Sequence, residues 1–145
     1  MKHEILIYNK TRKKAPERFI KTVILKTLGV LKIKQPVEMA VLVVDKKEIK
    51  RLNKSWRRKD KAPDELSFGL NSRLMAGRAK FVKVPKSVLS LGEIVLNAEK
   101  ISDKFFLSKI LVHSLLHLLG YTHQQMEVLE NKIIKICRGK ISSLV

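Results

Sequence analysis

Cysteine is almost absent from this chain: Cys137 is the only one. One thiol cannot build an internal disulfide framework, and it excludes every zinc finger or ribbon held by several thiolates. Such usage fits a reducing compartment, and a cytoplasmic protein is expected. Aromatic residues are scarce at 6%, with Trp56, Phe68, Phe81 and Tyr121 the candidates for base stacking, so an extended stacking platform is not expected. Acid is scarce too. Thirteen Asp and Glu face thirty-one Lys and Arg, giving a net charge of +18. That imbalance points to a polyanionic partner, nucleic acid or an anionic membrane face, with a generally Lys-rich composition as the plainer alternative. Long apolar runs are missing. The longest charge-free stretch, Ile110–Met126, falls short of the ~20 residues of a membrane helix and contains three histidines and a glycine. The opening MKHEILIYNK meets charge after three apolar residues, unlike a signal peptide, so neither a membrane segment nor a leader is expected.

What is present suits one domain spanning residues 1–145, since the chain is 45% apolar and long enough for a single buried core. Glu4–Asn9 is rich in β-formers and reads as a first strand. After the basic turn Lys10–Lys14, Pro16 suits a helix's first turn; Phe19, Ile20, Val23, Ile24 and Leu28 then recur at helical spacing, with Gly29 as the stop. Val37–Val44 is nearly continuous apolar sequence, which predicts a central strand buried on both faces. Asp45 and Glu48 have capping-box spacing and open a helix to about Trp56, anchored by Ile49 and Leu52. Residues 57–64 are a charged loop and Leu66–Phe68 a short strand. Asn71–Ser90 has no clear period and reads as a mobile loop, followed by a strand over Leu91–Ala98. Ser102 or Asp103 caps a long apolar helix ending at Gly120, and Met126, Leu129, Ile133 and Ile136 mark a last amphipathic helix. Strands interleaved with helices predict an α/β (α+β) fold with a small mixed sheet packed with helices.

The chemistry is concentrated in His113-Ser-Leu-Leu-His117-Leu-Leu-Gly120-Tyr-Thr-His123. Residues four apart on a helix share a face, so two imidazoles can converge on one ion. A pair alone is more often two hydrogen-bonded core histidines. A third histidine just beyond a helix-stopping glycine reverses that balance, because a left-handed residue at Gly120 can turn the chain back on itself. Three histidines with a fourth position open are the arrangement of a catalytic zinc, not a structural one. The spacing matches the zinc-peptidase pattern H-E-x-x-H-x-x-G-x-x-H except that Ser114 stands where the glutamate base belongs, and a serine cannot serve as that base. His3 has no partner nearby in sequence and reads as an ordinary strand or surface residue.

HSLLHLLGYTH resembles the H-G-x-L-H-L-x-G-Y-D-H motif of the YbeY family, zinc-dependent single-strand endoribonucleases of ribosomal RNA maturation. Leu52-Asn53-Lys54-Ser55-Trp56-Arg57-Arg58-Lys59-Asp60-Lys61 resembles that family's L-N-x-x-Y-R-G-K-D, Pro63-Asp64-Glu65-Leu66-Ser67-Phe68 its T-D-V-L-S-F, and Leu91-Gly92-Glu93-Ile94 its L-G-D-I. Four blocks in matching order carry the resemblance over roughly residues 37–135. There are departures. Ser114 replaces a glycine, Arg58 stands where glycine is usual, and Thr122 replaces the acidic residue before the third histidine, where a carboxylate could orient the ligand.

The resemblance implies a zincin-like metal-bearing helix with one Zn2+ held by His113, His117 and His123. It implies cleavage of single-stranded ribosomal RNA, at the 3′ end of 16S rRNA and in ribosome quality control, with the ribosome or its small subunit as partner. Arg57 matches the family's arginine. A permanently charged guanidinium suits a phosphate's geometry and would neutralise charge developing during cleavage. Arg58, Lys59 and Lys61 are expected to position the strand; Asp64 and Glu93 are candidates for ligand support or proton transfer. Residues 46–61 hold nine Lys and Arg against Glu48 and Asp60, and residues 69–91 hold five with no acid, which suits tracking of a phosphate backbone. Two other classes remain: a non-catalytic zinc-containing ribosome-assembly or RNA-binding factor, and a zincin-like metallopeptidase, which lacks its base.

Overall fold

A computed structural model describes residues 2–69 and 88–141, with side chains through Cys137. The expected mobile loop Asn71–Ser90 falls outside the described residues as far as position 87, and its last two residues already belong to a strand. The elements run β1 (Glu4–Asn9), α1 (Glu17–Val30), β2 (Val37–Val44), α2 (Lys46–Arg57), β3 (Glu65–Gly69), β4 (Leu89–Asn97), a 3-10 turn (Ala98–Lys100), α3 (Lys104–Leu118) and α4 (His123–Ile141). No helix among the described residues is long and apolar enough to cross a membrane.

The four strands form one mixed sheet in the order β1-β2-β4-β3. β2 lies parallel to both β1 and β4, and β3 runs antiparallel to β4. Side chains alternate across a strand, so each face has its own core. On one face Ile5, Met39, Val41, Val43, Ile94 and Leu96 pack with residues of α1, α3 and α4. On the other, Val44, Leu66, Phe68 and Val95 pack against Ile49 of α2. Among the described residues three helices thus cover one face and a single helix covers the other. Here β2 departs from expectation. Val37, Met39, Val41 and Val43 are buried, but Glu38, Ala40 and Leu42 are only half-buried, because α2 reaches only one end of its face. Leu6 and Tyr8, neighbouring β2 on β1, are exposed.

Asp45 accepts a hydrogen bond from Glu48 N–H at 2.8 Å and starts α2, while Asp103, not Ser102, accepts from Phe106 N–H at 3.1 Å and starts α3. The expected stop at Gly29 does not occur. α1 continues to Val30, and the reversal falls on Lys32 at φ 55°, with Lys32 N–H bonded to Gly29 O and Ile33 N–H to Leu28 O. Those two bonds satisfy the last carbonyls, and Leu28, fully buried, holds the final turn in the core.

β4 begins two residues earlier than its apolar run, because Leu89 N–H bonds Pro36 O at 2.8 Å. Its pairing with β2 slips between Glu38 and Met39, so that Ser90 faces Glu38 and Gly92 faces Met39, leaving Leu91 as the extra residue of a bulge. Gly92 sits at φ 114°, and a β-carbon there would lie 2.1 Å from Phe68 O. Only glycine fits so close an approach.

Candidate active site

α3 is apolar nearly all round. Leu107, Leu111, Val112, Leu115 and Leu116 are buried, which leaves His113 and His117 along its outer edge. The helix ends in a left-handed Gly120 at φ 87°, with Gly120 N–H bonded to His117 O and Tyr121 N–H to Leu116 O. Thr122 then starts α4. Its hydroxyl accepts from Gln125 N–H at 3.2 Å, and the Gln125 side chain accepts from Thr122 N–H at 2.9 Å, a reciprocal capping box. The residue that replaces the family's acid therefore caps the helix and fixes His123 in its first turn.

The three rings stand in a row. His113 and His117 centroids are 6.3 Å apart and those of His117 and His123 are 6.1 Å apart. As placed, no three His, Cys, Asp or Glu side chains among the described residues come close enough to hold one ion together. On α4, two turns beyond His123, Glu130 Oε1 lies 2.5 Å from His113 Nδ1. Ser114 points the other way: fully buried, it donates to Glu65 Oε2 at 2.7 Å, and Ser67 Oγ donates to the same oxygen at 2.9 Å. Its hydroxyl is committed to bridging α3 and β3.

Two depressions flank the row. One, of about 440 Å³, is bordered by His117, Leu118, Ser67, Gly69, Ser90 and Leu91. The other, of about 430 Å³, is bordered by His113, Ile110, Lys61, Asp64 and Glu65. Lys61 and Asp64 are thus brought beside His113. The buried Asn53 folds the turn after α2 back on itself, donating to Lys61 O at 2.9 Å, and Asn97 N–H bonds Asp64 O at 3.0 Å. Arg57, Arg58 and Lys59 are exposed along that turn, and among the described residues none of the three is in an ion pair. Arg58 takes the left-handed φ of 57°.

Glu93 lies on the α2 face of the sheet, in a cleft of about 630 Å³ with Trp56, Phe68 and Val95, and the sheet separates it from the histidines on the α3 side. Sequence reasoning missed Glu65 and Glu130, whose partners lie 49 and 17 residues away. A Thr-x-x-Gln signal for the α4 cap was present in the sequence at Thr122 and Gln125.

A basic mixed α/β domain with neighbouring imidazoles between two open depressions has the features that a hydrolase of phosphodiester chains would use. Within that class the chain belongs to the YbeY family, described as Endoribonuclease YbeY, which matches residues 5–138. It is 34% identical over 113 residues to an Endoribonuclease YbeY of Persephonella marina, covering 77% of this chain and 72% of that one. It is 33% identical over 129 residues to one from Sulfurihydrogenibium, covering 87% and 82%. The solution structure of a Thermotoga maritima protein shares the fold at a TM-score of 0.59 and 23% identity, covering 96% and 92%. The chain is a hydrolase acting as an endoribonuclease.

Proposed function

We propose that this chain is a zinc-dependent, single-strand-specific endoribonuclease of the cytoplasm that acts in ribosomal RNA maturation, at the 3′ end of 16S rRNA, and in ribosome quality control. The observation that carries the metal reading is the row of His113, His117 and His123 across one helix end and the next helix start. The donor set fits zinc, which takes imidazole nitrogens at about 2.0–2.1 Å. Around a shared ion, ring centroids would stand about 5 Å apart, so the side chains must draw together from their present neighbouring separations of 6.3 and 6.1 Å. His117 and His123 are exposed, so solvent surrounds both rings and leaves them space to turn. Zinc held there would supply Lewis acidity to a phosphoryl oxygen and acidify a water molecule.

This chain's own cations do the rest. Arg57 neutralises charge developing on the phosphodiester, and Arg58, Lys59 and Lys61 hold the strand by its phosphates. Lys61 beside His113 links that cationic margin to the row, and Asp64 in the same depression supports a ligand or exchanges a proton. The peptidase reading finds less support, since Ser114 is tied to Glu65 and no carboxylate stands in its place on the helix.

Protein made without affinity-tag histidines should carry one zinc per chain and cut single-stranded ribosomal RNA. His117→Ala should lose the metal, and cleavage should fall at least ~100-fold. Arg57→Ala should keep normal zinc and weaken RNA binding modestly, yet cleave roughly 100- to 1,000-fold more slowly. Unchanged cleavage by Arg57→Ala would remove it from the reaction. Wild-type protein that leaves RNA intact, or a peptide cleavage abolished by His117→Ala, would overturn the proposal.

A further inference from the structure

We propose that Glu130 is a positioning residue for the site: it accepts a hydrogen bond from His113 Nδ1–H and so presents His113 Nε2 to the metal. The inference rests on the zinc reading above and adds a residue to it. His113 Nδ1 and Glu130 Oε1 stand within direct hydrogen-bonding contact, with no room for a water between them. An ionised carboxylate can only accept, so the nitrogen facing it must carry the hydrogen. The other ring nitrogen then keeps its lone pair free for an ion.

Placement supports the same assignment. Glu130 comes seven residues after His123 on α4, two helical turns, so both lie on one side of that helix. α4 therefore contributes one ring of the row directly and steers a second ring, His113, that belongs to α3. The short link between the helices is fixed at one end by Gly120 and at the other by the Thr122–Gln125 capping box, so the distance between the two contributions is set by the backbone. Side-chain accessibility of 44% for His113 and 30% for Glu130 would make an ordinary ion pair worth little to stability. Its effect on ring orientation is independent of that and falls on metal affinity. Glu127, one turn earlier, is exposed and has no such partner among the described residues, which makes it the control.

Glu130→Leu should retain the wild-type fold by circular dichroism and weaken zinc binding roughly 10- to 100-fold in competition with a chelator of known affinity. Glu130→Gln keeps a neutral acceptor and should fall between Glu130→Leu and wild type. Glu127→Gln should match wild type. In metal-free wild-type protein, long-range nitrogen–proton correlations should find the His113 hydrogen on Nδ1, and Glu130→Leu should shift it toward Nε2. Equal zinc affinity in Glu130→Leu and wild type, or a wild-type His113 carrying its hydrogen on Nε2, would overturn the inference while leaving the zinc reading intact. Wild-type protein that binds no zinc would overturn both.

Discussion

At the turn that follows α2, Arg58 holds a left-handed backbone, φ 57° and ψ 30°, that a β-carbon makes unfavourable by about 1–2 kcal/mol. The family pattern carries glycine there. Arg58→Gly should therefore stabilise the fold by about 0.5–1 kcal/mol, the strain relieved less the added freedom of the unfolded chain. Urea unfolding would register this as a higher midpoint with an unchanged slope, and RNA binding should weaken because one cation is lost. The residues legible from sequence are those whose meaning is local. His113, His117 and Gly120 obey helix geometry, and it takes no knowledge of the fold to see them as a set. Glu65 and Glu130 carry no such signal: each is an unremarkable acid until folding brings β3 and α4 against α3. The face of the sheet that Glu93 occupies was not legible either. β4 is buried on both faces along most of its length, so the period-two pattern that would have assigned Glu93 to a side is erased.

Element boundaries follow their caps. α2 and α3 begin where Asp45 and Asp103 offer a carboxylate to the first turn. The capping box at Asp45 is only half made, because the Glu48 carboxylate turns to Arg51, with bonds of 2.6 and 3.0 Å, instead of reaching back. The Arg51 side-chain hydrogen bond holds Glu48's carboxyl below its ordinary value of 4.5, and partial burial opposes this. A carboxyl whose folded pKa is depressed stabilises the fold above its unfolded value and loses that contribution as pH falls through the folded one. Thermal melts should accordingly show wild type above Glu48→Gln at about pH 7, with the gap closing as pH drops below about 4. The pair is exposed, so the gap should be small and should shrink in high salt. Helix ends proved harder to read than starts. Gly29 looked like a stop, but the buried Leu28 and the backbone bonds at Lys32 and Ile33 terminate α1 instead. Packing decided that end, and packing is not written in a single residue.

For the molecule as a whole, the α/β class was legible from alternating strand and helix patterns, whereas the strand order β1-β2-β4-β3 was not, because pairing joins segments far apart in the chain. The net charge of +18 makes the clearest demand at this scale. Binding to single-stranded RNA should weaken linearly on a logarithmic salt plot, losing about 0.7 of slope per phosphate contact. The four contacts proposed for Arg57, Arg58, Lys59 and Lys61 would give a slope of about −3, and Lys59→Ala should reduce its magnitude by about 0.7. A slope that Lys59→Ala leaves unchanged would detach this margin from the RNA path.

The bulge at Gly92 bends β4 where Leu91 forms part of the rim beside His117. Since Phe68 O occupies the space any side chain would need, that codon is closed to drift: nineteen of the twenty inherited choices would push the neighbouring strand aside and reshape the mouth of the site. The turn after α2 is the contrasting case: Arg57, Arg58 and Lys59 are exposed, and their side chains can change without disturbing the sheet.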